Sequence, residues 1–160
     1  MPIAVGDKIP NVKIKTMGES GPEDLSTGDF FAGKTVAMFA LPGAFTPTCS
    51  AKHLPGFVQN FDALQAKGVD AVGCLSVNDA FVMGAWGEQQ GAGGKVTMMA
   101  DGNGEFAKAL GLEFDASGFG MGVRSQRFAL IARDGVVSHL AIEEPGAFEI
   151  SSAEALLRAL

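Results

Sequence analysis

The sequence predicts an α/β fold with a mixed central β-sheet flanked by helices. Apolar runs of strand length alternate with helical patterns through the middle of the chain, which is typical of parallel strands joined by crossover helices. An Asp134-Gly135 pair between two further apolar runs predicts a hairpin, which adds antiparallel strands. The 160 residues contain no internal repeat and no long linker. We therefore expect one domain over residues 1–160.

The predicted elements follow in chain order. The first third of the chain is strand-like and rich in Pro and Gly turns. The next strands are predicted over five apolar runs: Thr35–Leu41, Val69–Val77, Lys95–Ala100, Phe128–Ala132 and Val136–Ile142. Helices are predicted over about Ser50–Lys67, from Asn78 as N-cap, over Gly104–Leu110, and from Ser151, where Ser151 and Glu154 form a capping-box pattern. Pro55 predicts a kink in the first of these helices, and Gly68 suits its C-terminal end.

Composition excludes several classes of protein. Twelve basic and eighteen acidic residues give a formal charge of −6, which argues against a nucleic-acid-binding surface. No apolar run reaches the roughly 18 residues that a membrane-spanning helix needs. The first residues show neither a basic nor an apolar signal region. Two cysteines are too few for a disulfide scaffold, so we expect a cytoplasmic protein.

The segment Pro42–Ser50 carries the strongest functional signal. It places Cys49 in the first turn of a helix, where free backbone N–H groups and the helix dipole favour an anion. A thiolate is such an anion, and it is the nucleophilic form of cysteine. Thr46 can bring a hydroxyl near the sulfur, to bond the thiolate or a bound oxygen substrate. Pro42 and Pro47 restrict the loop, which suits a small electrophile.

Other thiol chemistries fit the sequence less well. Lys52 stands three residues after Cys49, so there is no C-x-x-C pair for dithiol exchange. A Cys-His hydrolase would need His53 or His139, and we expect His53 to be a partly exposed neighbour on the helix rather than an orienting base. These residues and Cys74 show no zinc-ligand spacing, and we predict no metal site. Cys74 lies in an apolar run and is expected to be a small core residue.

The pattern Pro42-x-x-x-Thr46-x-x-Cys49 before a helix resembles the peroxiredoxins. The fuller string Pro-Gly-Ala-Phe-Thr-Pro-Thr-Cys-Ser is similar to their fifth, or type II, subfamily. The similarity runs over almost the whole chain, with supporting segments at residues 53–57, 76–79, 85–86, 100–102 and 127–128. The resemblance implies a thioredoxin-like fold and an antioxidant peroxidase that reduces hydrogen peroxide and alkyl hydroperoxides.

The resemblance also implies roles for individual residues. Cys49 resembles the peroxidatic cysteine, Thr46 the hydroxyl that orients sulfur and peroxide, and Pro42 the proline that walls the pocket. The family needs an arginine from a later strand. We favour Arg127, which directly precedes a predicted strand, and keep Arg124 as a supporting or alternative residue. The always-charged guanidinium can stabilise a thiolate while its donors bind peroxide oxygens. Further substrate contacts are expected from Arg124 and from three loop residues, Gly43, Phe45 and Thr48.

Attack on a peroxide would convert Cys49 to a sulfenic acid, which a thiol must reduce. Residues 146–152 contain no cysteine where part of the subfamily carries one. The resemblance therefore implies a one-cysteine enzyme without a bound cofactor, recycled by glutathione and glutaredoxin or by thioredoxin, and a homodimer. The alternative is a peroxide sensor that passes its oxidation to a partner protein. Exposed apolar residues such as Phe45 and Phe119 would suit a structural assembly or equally a dimer interface.

Overall fold

Nine strands and six α-helices make up the computed structural model, which describes residues 1–160. The strands are β1 (Lys13–Gly18), β2 (Gly21–Ser26), β3 (Thr35–Ala40), β4 (Ala71–Ser76), β5 (Val96–Ala100), β6 (Glu113–Asp115), β7 (Val123–Ser125), β8 (Phe128–Arg133) and β9 (Val136–Ile142). The helices are α1 (Thr27–Phe31), α2 (Leu54–Gln59), α3 (Phe61–Ala66), α4 (Ala80–Gln89), α5 (Glu105–Leu110) and α6 (Ala153–Ala159). A π-helical turn covers Cys49–His53, and a 3₁₀ turn covers Ser117–Phe119.

Seven strands form one mixed sheet in the order β2-β1-β5-β4-β3-β8-β9. The three central strands β3, β4 and β5 are parallel, whereas β8, β9, β1 and β2 pair antiparallel. At the β8–β9 hairpin, Asp134 and Gly135 have φ angles of 50° and 76°, the left-handed pair that a type I′ turn needs. The prediction of a mixed sheet flanked by helices is confirmed.

Strand β3 is buried on both faces, which explains its continuous apolar sequence. Successive side chains point to opposite faces of a strand, so β3 contributes to two separate cores. One is a cluster of 21 buried residues that includes Phe39 and both cysteines. The other is a cluster of 16 buried residues that includes Met38. Because β3 is central and rigidly packed, the loop that leaves its C-terminal end starts from a fixed position.

The helix predicted over Ser50–Lys67 is present but is not continuous. Helical residues begin at Pro47, the π-helical turn follows, and α2 is separated from α3 at Asn60. Pro55 has no N–H to donate, and its ring would crowd a carbonyl one turn earlier. The predicted kink takes the form of the wide turn directly before Pro55, in which the N–H of Leu54 bonds the Cys49 carbonyl.

Two predicted N-caps were wrong by one residue. Asp79, not Asn78, caps α4, since its Oδ1 accepts from the N–H of Val82 at 2.8 Å. The side chain of Ser152 caps α6, while the Ser151 hydroxyl donates to a carboxylate elsewhere. In both places two capping residues are adjacent in the sequence. Tertiary contacts decide which of them caps the helix, and the other residue serves the neighbouring loop.

A second, two-stranded sheet of β6 and β7 was not predicted. Each strand has three residues, too few for a periodic apolar pattern. This small sheet places Arg124 on β7 beside the loop that follows β3. None of the helices combines the length and apolar character that crossing a bilayer would require.

Candidate active site

Cys49 lies where the loop after β3 enters the helix. Its side chain is 1% exposed, and it opens the π-helical turn. The N–H of Ser50 bonds the Thr46 carbonyl at 2.9 Å, which closes the first helical turn around the cysteine. The indole of Trp86 donates to the Ser50 hydroxyl at 3.0 Å and ties this turn to α4. The sulfur therefore has a fixed position at the N-terminal end of a helix, where negative charge is favoured.

Arg127 is the side chain that contacts the sulfur. One guanidinium nitrogen, Nη2, lies 3.1 Å from Cys49 Sγ, and the other, Nη1, lies 2.8 Å from Nδ1 of His53. The ion pairs of the protein involve only Asp24 with Lys13 and Lys15, so no carboxylate neutralises this guanidinium. A guanidinium that keeps its charge and directs an N–H at sulfur stabilises a thiolate over a thiol.

His53 is 1% exposed, so the expectation of a partly exposed neighbour was wrong. Its Nε2 lies 2.9 Å from the carbonyl of Ser151, which can only accept, so Nε2 carries the ring proton and Nδ1 accepts from Arg127. Burial, and next the charge of Arg127, lower the pKa of His53 to about 3. The ring is therefore neutral, and it holds Arg127 rather than bonding Cys49 as a hydrolase base would.

A signal for the burial of His53 was present in the sequence. The residue lies four positions after Cys49 and four before Phe57, which places all three on one face of a helix. Phe57 and Cys49 are both buried, so this face points into the core. The His53 ring packs against Phe39 and Phe57 at centroid distances of 4.8 and 5.8 Å. Helical spacing alone could have predicted a buried histidine here.

The hydroxyl proton of Thr46 is donated to a carbonyl within the same loop. Its Oγ1 donates to the Gly43 carbonyl at 2.6 Å, which leaves the oxygen lone pairs to accept a hydrogen bond. Gly43 is buried, and a Cβ at this position would lie 3.1 Å from Arg124 and 3.2 Å from Thr46. Gly43 therefore contributes a carbonyl and close packing. Because its proton is donated to Gly43, the Thr46 hydroxyl can accept a hydrogen bond and does not donate one to the sulfur of Cys49.

Arg124 holds the loop and does not contact the sulfur. Its Nε donates to the Met121 carbonyl at 2.9 Å, and its Nη1 donates to the Pro42 carbonyl at 3.2 Å. From the other side, Asn78 Oδ1 accepts from the N–H of Ala44 at 3.0 Å. These contacts hold the loop backbone at Pro42 and Ala44, shortly before Thr46. Of the two arginines considered, Arg127 is the one placed against Cys49.

A cleft of about 820 Å³ opens beside this site. Pro42, Thr46, Thr48 and Arg127 line it, whereas Cys49 does not reach its surface. Phe45 points elsewhere: its ring is 50% exposed, and its centroid lies 6.3 Å from that of Trp86. Because Cys49 is only 1% exposed, only a small reactant could reach its sulfur from the cleft.

Cys74 takes no part in these hydrogen bonds: it lies in the interior of β4 and is 0% exposed, as predicted. Burial, and secondarily the neighbouring Cys49, raise the pKa of the Cys74 thiol well above its ordinary value. This thiol therefore stays protonated and unreactive in the folded protein. No group of three or more His, Cys, Asp or Glu side chains has an arrangement that would hold a metal ion.

Comparison with known proteins identifies the family of this chain. Residues 4–157 match the family model described as Redoxin. The chain is 52% identical to peroxiredoxin-2E-2, chloroplastic, of Oryza sativa, over 99% of its own length and 72% of the relative. It is 48% identical to peroxiredoxin-2B of Arabidopsis thaliana, over 99% of each chain. Reduced Prx3 of Vibrio vulnificus, solved in complex with hydrogen peroxide, shares 51% identity over 98% of each chain, with a TM-score of 0.94. The chain therefore belongs to the redoxin family and, within it, to the peroxiredoxins with their thioredoxin-like fold.

Proposed function

We propose that Cys49 reduces hydrogen peroxide and small alkyl hydroperoxides by direct attack on the peroxide. Membership of the peroxiredoxins supports a thiol-dependent peroxidase. The observation that carries the proposal is the 3.1 Å contact between Arg127 and Cys49 Sγ, made by a guanidinium without a carboxylate partner. That contact supplies the two requirements of the reaction, a thiolate nucleophile and a fixed positive charge beside the reacting oxygens.

In the proposed step, the thiolate attacks one peroxide oxygen, so that an S–O bond forms and the O–O bond breaks. The sulfur is oxidised to a sulfenic acid, and the second oxygen leaves as hydroxide or alkoxide and takes a proton from water. Arg127 stabilises the charge that develops on the leaving oxygen. The lone pairs of Thr46 accept from the peroxide O–H, because the hydroxyl proton of Thr46 is already donated to Gly43.

The peroxidase assignment is tested by following peroxide loss with excess glutathione and glutaredoxin. The wild-type protein should turn over, and Cys49→Ser should show no consumption above the protein-free rate. Undiminished consumption by Cys49→Ser would refute the assignment. Consumption that stops after one equivalent, whatever small thiol or reductase is supplied, would favour the peroxide sensor instead.

We propose that an external thiol regenerates Cys49, with glutathione and glutaredoxin as the main reductant and thioredoxin as the alternative. The only other thiol, Cys74, is fully buried within β4, so an internal disulfide would require that the strand region open. A panel of the three reductants, combined with thiol mass spectrometry after peroxide treatment, tests this. A glutathione adduct on Cys49 is the expected product. A Cys49–Cys74 disulfide as the main product would contradict the proposal.

We also propose a homodimer and a cytoplasmic location. Phe119 lines the cleft and is 77% exposed, and Phe45 is 50% exposed on the loop that carries Thr46, so both offer apolar surface near the site. Sedimentation should give the mass of a dimer for the wild-type protein and that of a monomer for Phe119→Glu. A wild-type monomer at all concentrations would contradict the dimer.

The reducing cytoplasm suits two free thiols, and cell fractionation tests the location.

A further inference from the structure

Glu143 is a buried carboxylate that the reaction described above does not use. It directly follows β9, and its N–H donates to the Arg127 carbonyl at 2.9 Å, so the two backbones are cross-strand neighbours. Its side chain is 6% exposed. The residues after it, 144–151, form a segment that we call the strap, which leads to α6.

The carboxylate of Glu143 anchors the end of the strap. Its Oε2 accepts from the N–H groups of Glu149, Ile150 and Ser151 at 2.7 to 2.8 Å and from the Ser151 hydroxyl at 2.7 Å. Burial alone would raise the pKa of Glu143, but the donors from Ser151 and its neighbours outweigh it and hold the pKa below its ordinary value. The anchor is therefore an ionised group with four hydrogen bonds.

The anchored strap contacts the groups that orient Arg127. The Ser151 carbonyl accepts from His53 Nε2 at 2.9 Å, and His53 Nδ1 accepts from Arg127 at 2.8 Å. Phe148 of the strap packs against both His53 and Arg127: its ring centroid is 4.9 Å from that of His53 and 5.8 Å from Arg127 Cζ. A continuous series of contacts therefore runs from Glu143 through the strap and His53 to the guanidinium, and from there to Cys49.

The carboxylate of Glu143 does not pair with Arg127, although their backbones are hydrogen-bonded. A carboxylate on the guanidinium would neutralise much of the charge that stabilises the thiolate. The carboxylate of Glu143 instead accepts hydrogen bonds from the strap. The guanidinium of Arg127 therefore hydrogen-bonds only to His53 and the sulfur of Cys49. The same four hydrogen bonds thus hold His53 in place and keep a competing anion away from Arg127.

We propose that Glu143 is a positioning residue for the peroxidase reaction, acting through the strap and His53 to hold Arg127 against Cys49. This inference rests on the proposed function. Loosening the anchor should leave the reacting groups present but misplaced, and small misplacements of reacting groups lower rates strongly. The effect should appear both in turnover and in the reactivity of Cys49 in the absence of peroxide.

The test compares Glu143→Gln with Glu149→Gln, the same substitution at an exposed strap side chain that makes no hydrogen bond of its own. Two quantities are measured: kcat/KM for hydrogen peroxide, and the rate at which iodoacetamide alkylates Cys49 at neutral pH, resolved by peptide mass. Glu143→Gln should lower both, kcat/KM by about tenfold or more. Glu149→Gln should match the wild type. Equal values for wild type and Glu143→Gln would overturn the proposal, even if Glu143→Gln melts at a lower temperature.

A double-mutant cycle distinguishes positioning through His53 from a general loss of stability. In His53→Asn, the shorter amide can still accept from Arg127 near the Nδ1 position, but it cannot reach the Ser151 carbonyl. Adding Glu143→Gln to His53→Asn should then change kcat/KM little, because the hydrogen bond between residue 53 and the Ser151 carbonyl is already lost. Independent, multiplying losses would overturn the proposed route.

The test has an alternative variant in case Glu143→Gln does not fold, and a readout that does not depend on peroxidase activity. If Glu143→Gln does not fold, Ser151→Ala removes one of the four donors and keeps the carboxylate, and it should lower the same two quantities in the same direction. No change in Ser151→Ala would then overturn the proposal. The alkylation measurement needs no peroxide turnover, so it remains informative if the wild-type protein proves not to be a peroxidase. That result would refute the proposed function, whereas a lower alkylation rate in Glu143→Gln would still support, and an unchanged rate would overturn, the positioning of Arg127 by Glu143.

Discussion

The guanidinium of Arg127 lies 3.1 Å from Cys49 Sγ, and no carboxylate lies within 4.0 Å of that guanidinium. Its other nitrogen is held by a histidine that burial keeps neutral. A cation in a buried site usually carries a carboxylate partner. Here the sulfur of Cys49 lies where such a partner would be expected. In the proposed reaction, the same positive charge stabilises the nucleophilic thiolate and the leaving oxygen.

Replacing Arg127 with Lys should lower kcat/KM for hydrogen peroxide by about a hundredfold, because an ammonium cannot hold His53 and the sulfur with two fixed donors. Arg124→Lys is the matched comparison, since Arg124 bonds only the Pro42 and Met121 carbonyls. It should lose less activity and should mainly loosen the loop. Stopped-flow measurement of peroxide reduction gives both values. A larger loss in Arg124→Lys would show that the roles of the two arginines are reversed.

Thr46→Val should lower kcat/KM by about tenfold to a hundredfold, since it removes both the hydrogen bond to the Gly43 carbonyl and the acceptor for the peroxide O–H. Thr46→Ser keeps the hydroxyl and should retain most of the activity. Val replaces the hydroxyl with a methyl group, whereas Ser keeps the hydroxyl and loses the methyl group, so steady-state kinetics of the two variants separate the contributions of these groups. Similar activities of Thr46→Val and Thr46→Ser would remove the hydroxyl from the mechanism.

Cys74→Ala should keep full turnover with glutathione and glutaredoxin while the free energy of unfolding falls by about 1 kcal/mol, because a buried side chain loses packing. Cys74→Ser should keep turnover as well, with a larger loss of stability, since its hydroxyl must find a partner in the core. Urea unfolding and the coupled reductase assay measure the two effects. Loss of turnover in both variants, with the fold intact, would assign Cys74 to the catalytic cycle.

The stability of the protein should fall as the pH is lowered from 6.5 towards 3, partly through His53. In the unfolded chain His53 binds a proton below its ordinary pKa of 6.5, whereas in the folded protein its pKa is about 3. Between these values the unfolded state binds more protons, so acid favours unfolding, by up to about 1.4 kcal/mol per pH unit. Urea unfolding at several pH values should give a steeper loss for the wild type than for His53→Asn. Parallel curves would contradict a buried, neutral His53.

The fold and the position of the nucleophile could be predicted because both depend on local patterns. Buried parallel strands have continuous apolar sequences, and the Asp134-Gly135 turn fixes the hairpin. The start of a helix at Cys49 follows from the change from strand to helical spacing. Short strands such as β6 and β7 have no such pattern. Their pairing depends on where the rest of the chain brings them.

The network around Arg127 could not be predicted as a whole, because it depends on groups far apart in sequence. Glu143 and Ser151 reach His53 through a loop whose path is set by tertiary hydrogen bonds. The carbonyl of Ser151 has no side-chain signature at all. Asn78 illustrates the same limit, since it was predicted as a helix cap, and its side chain instead bonds Ala44 in the loop of the active site. Local sequence favours a cap there, and only the packed structure shows the other partner.

The proposed reaction is the transfer of one oxygen atom from a peroxide to the Cys49 thiolate. It is tested most directly by the mass of the reduced protein after one equivalent of hydrogen peroxide, with dimedone present to trap a sulfenic acid. The wild type should gain one dimedone adduct, located on the peptide that contains Cys49, and Cys49→Ser should gain none. An adduct on Cys74, or peroxide consumed by Cys49→Ser as fast as by the wild type, would show that Cys49 is not the residue that is oxidised.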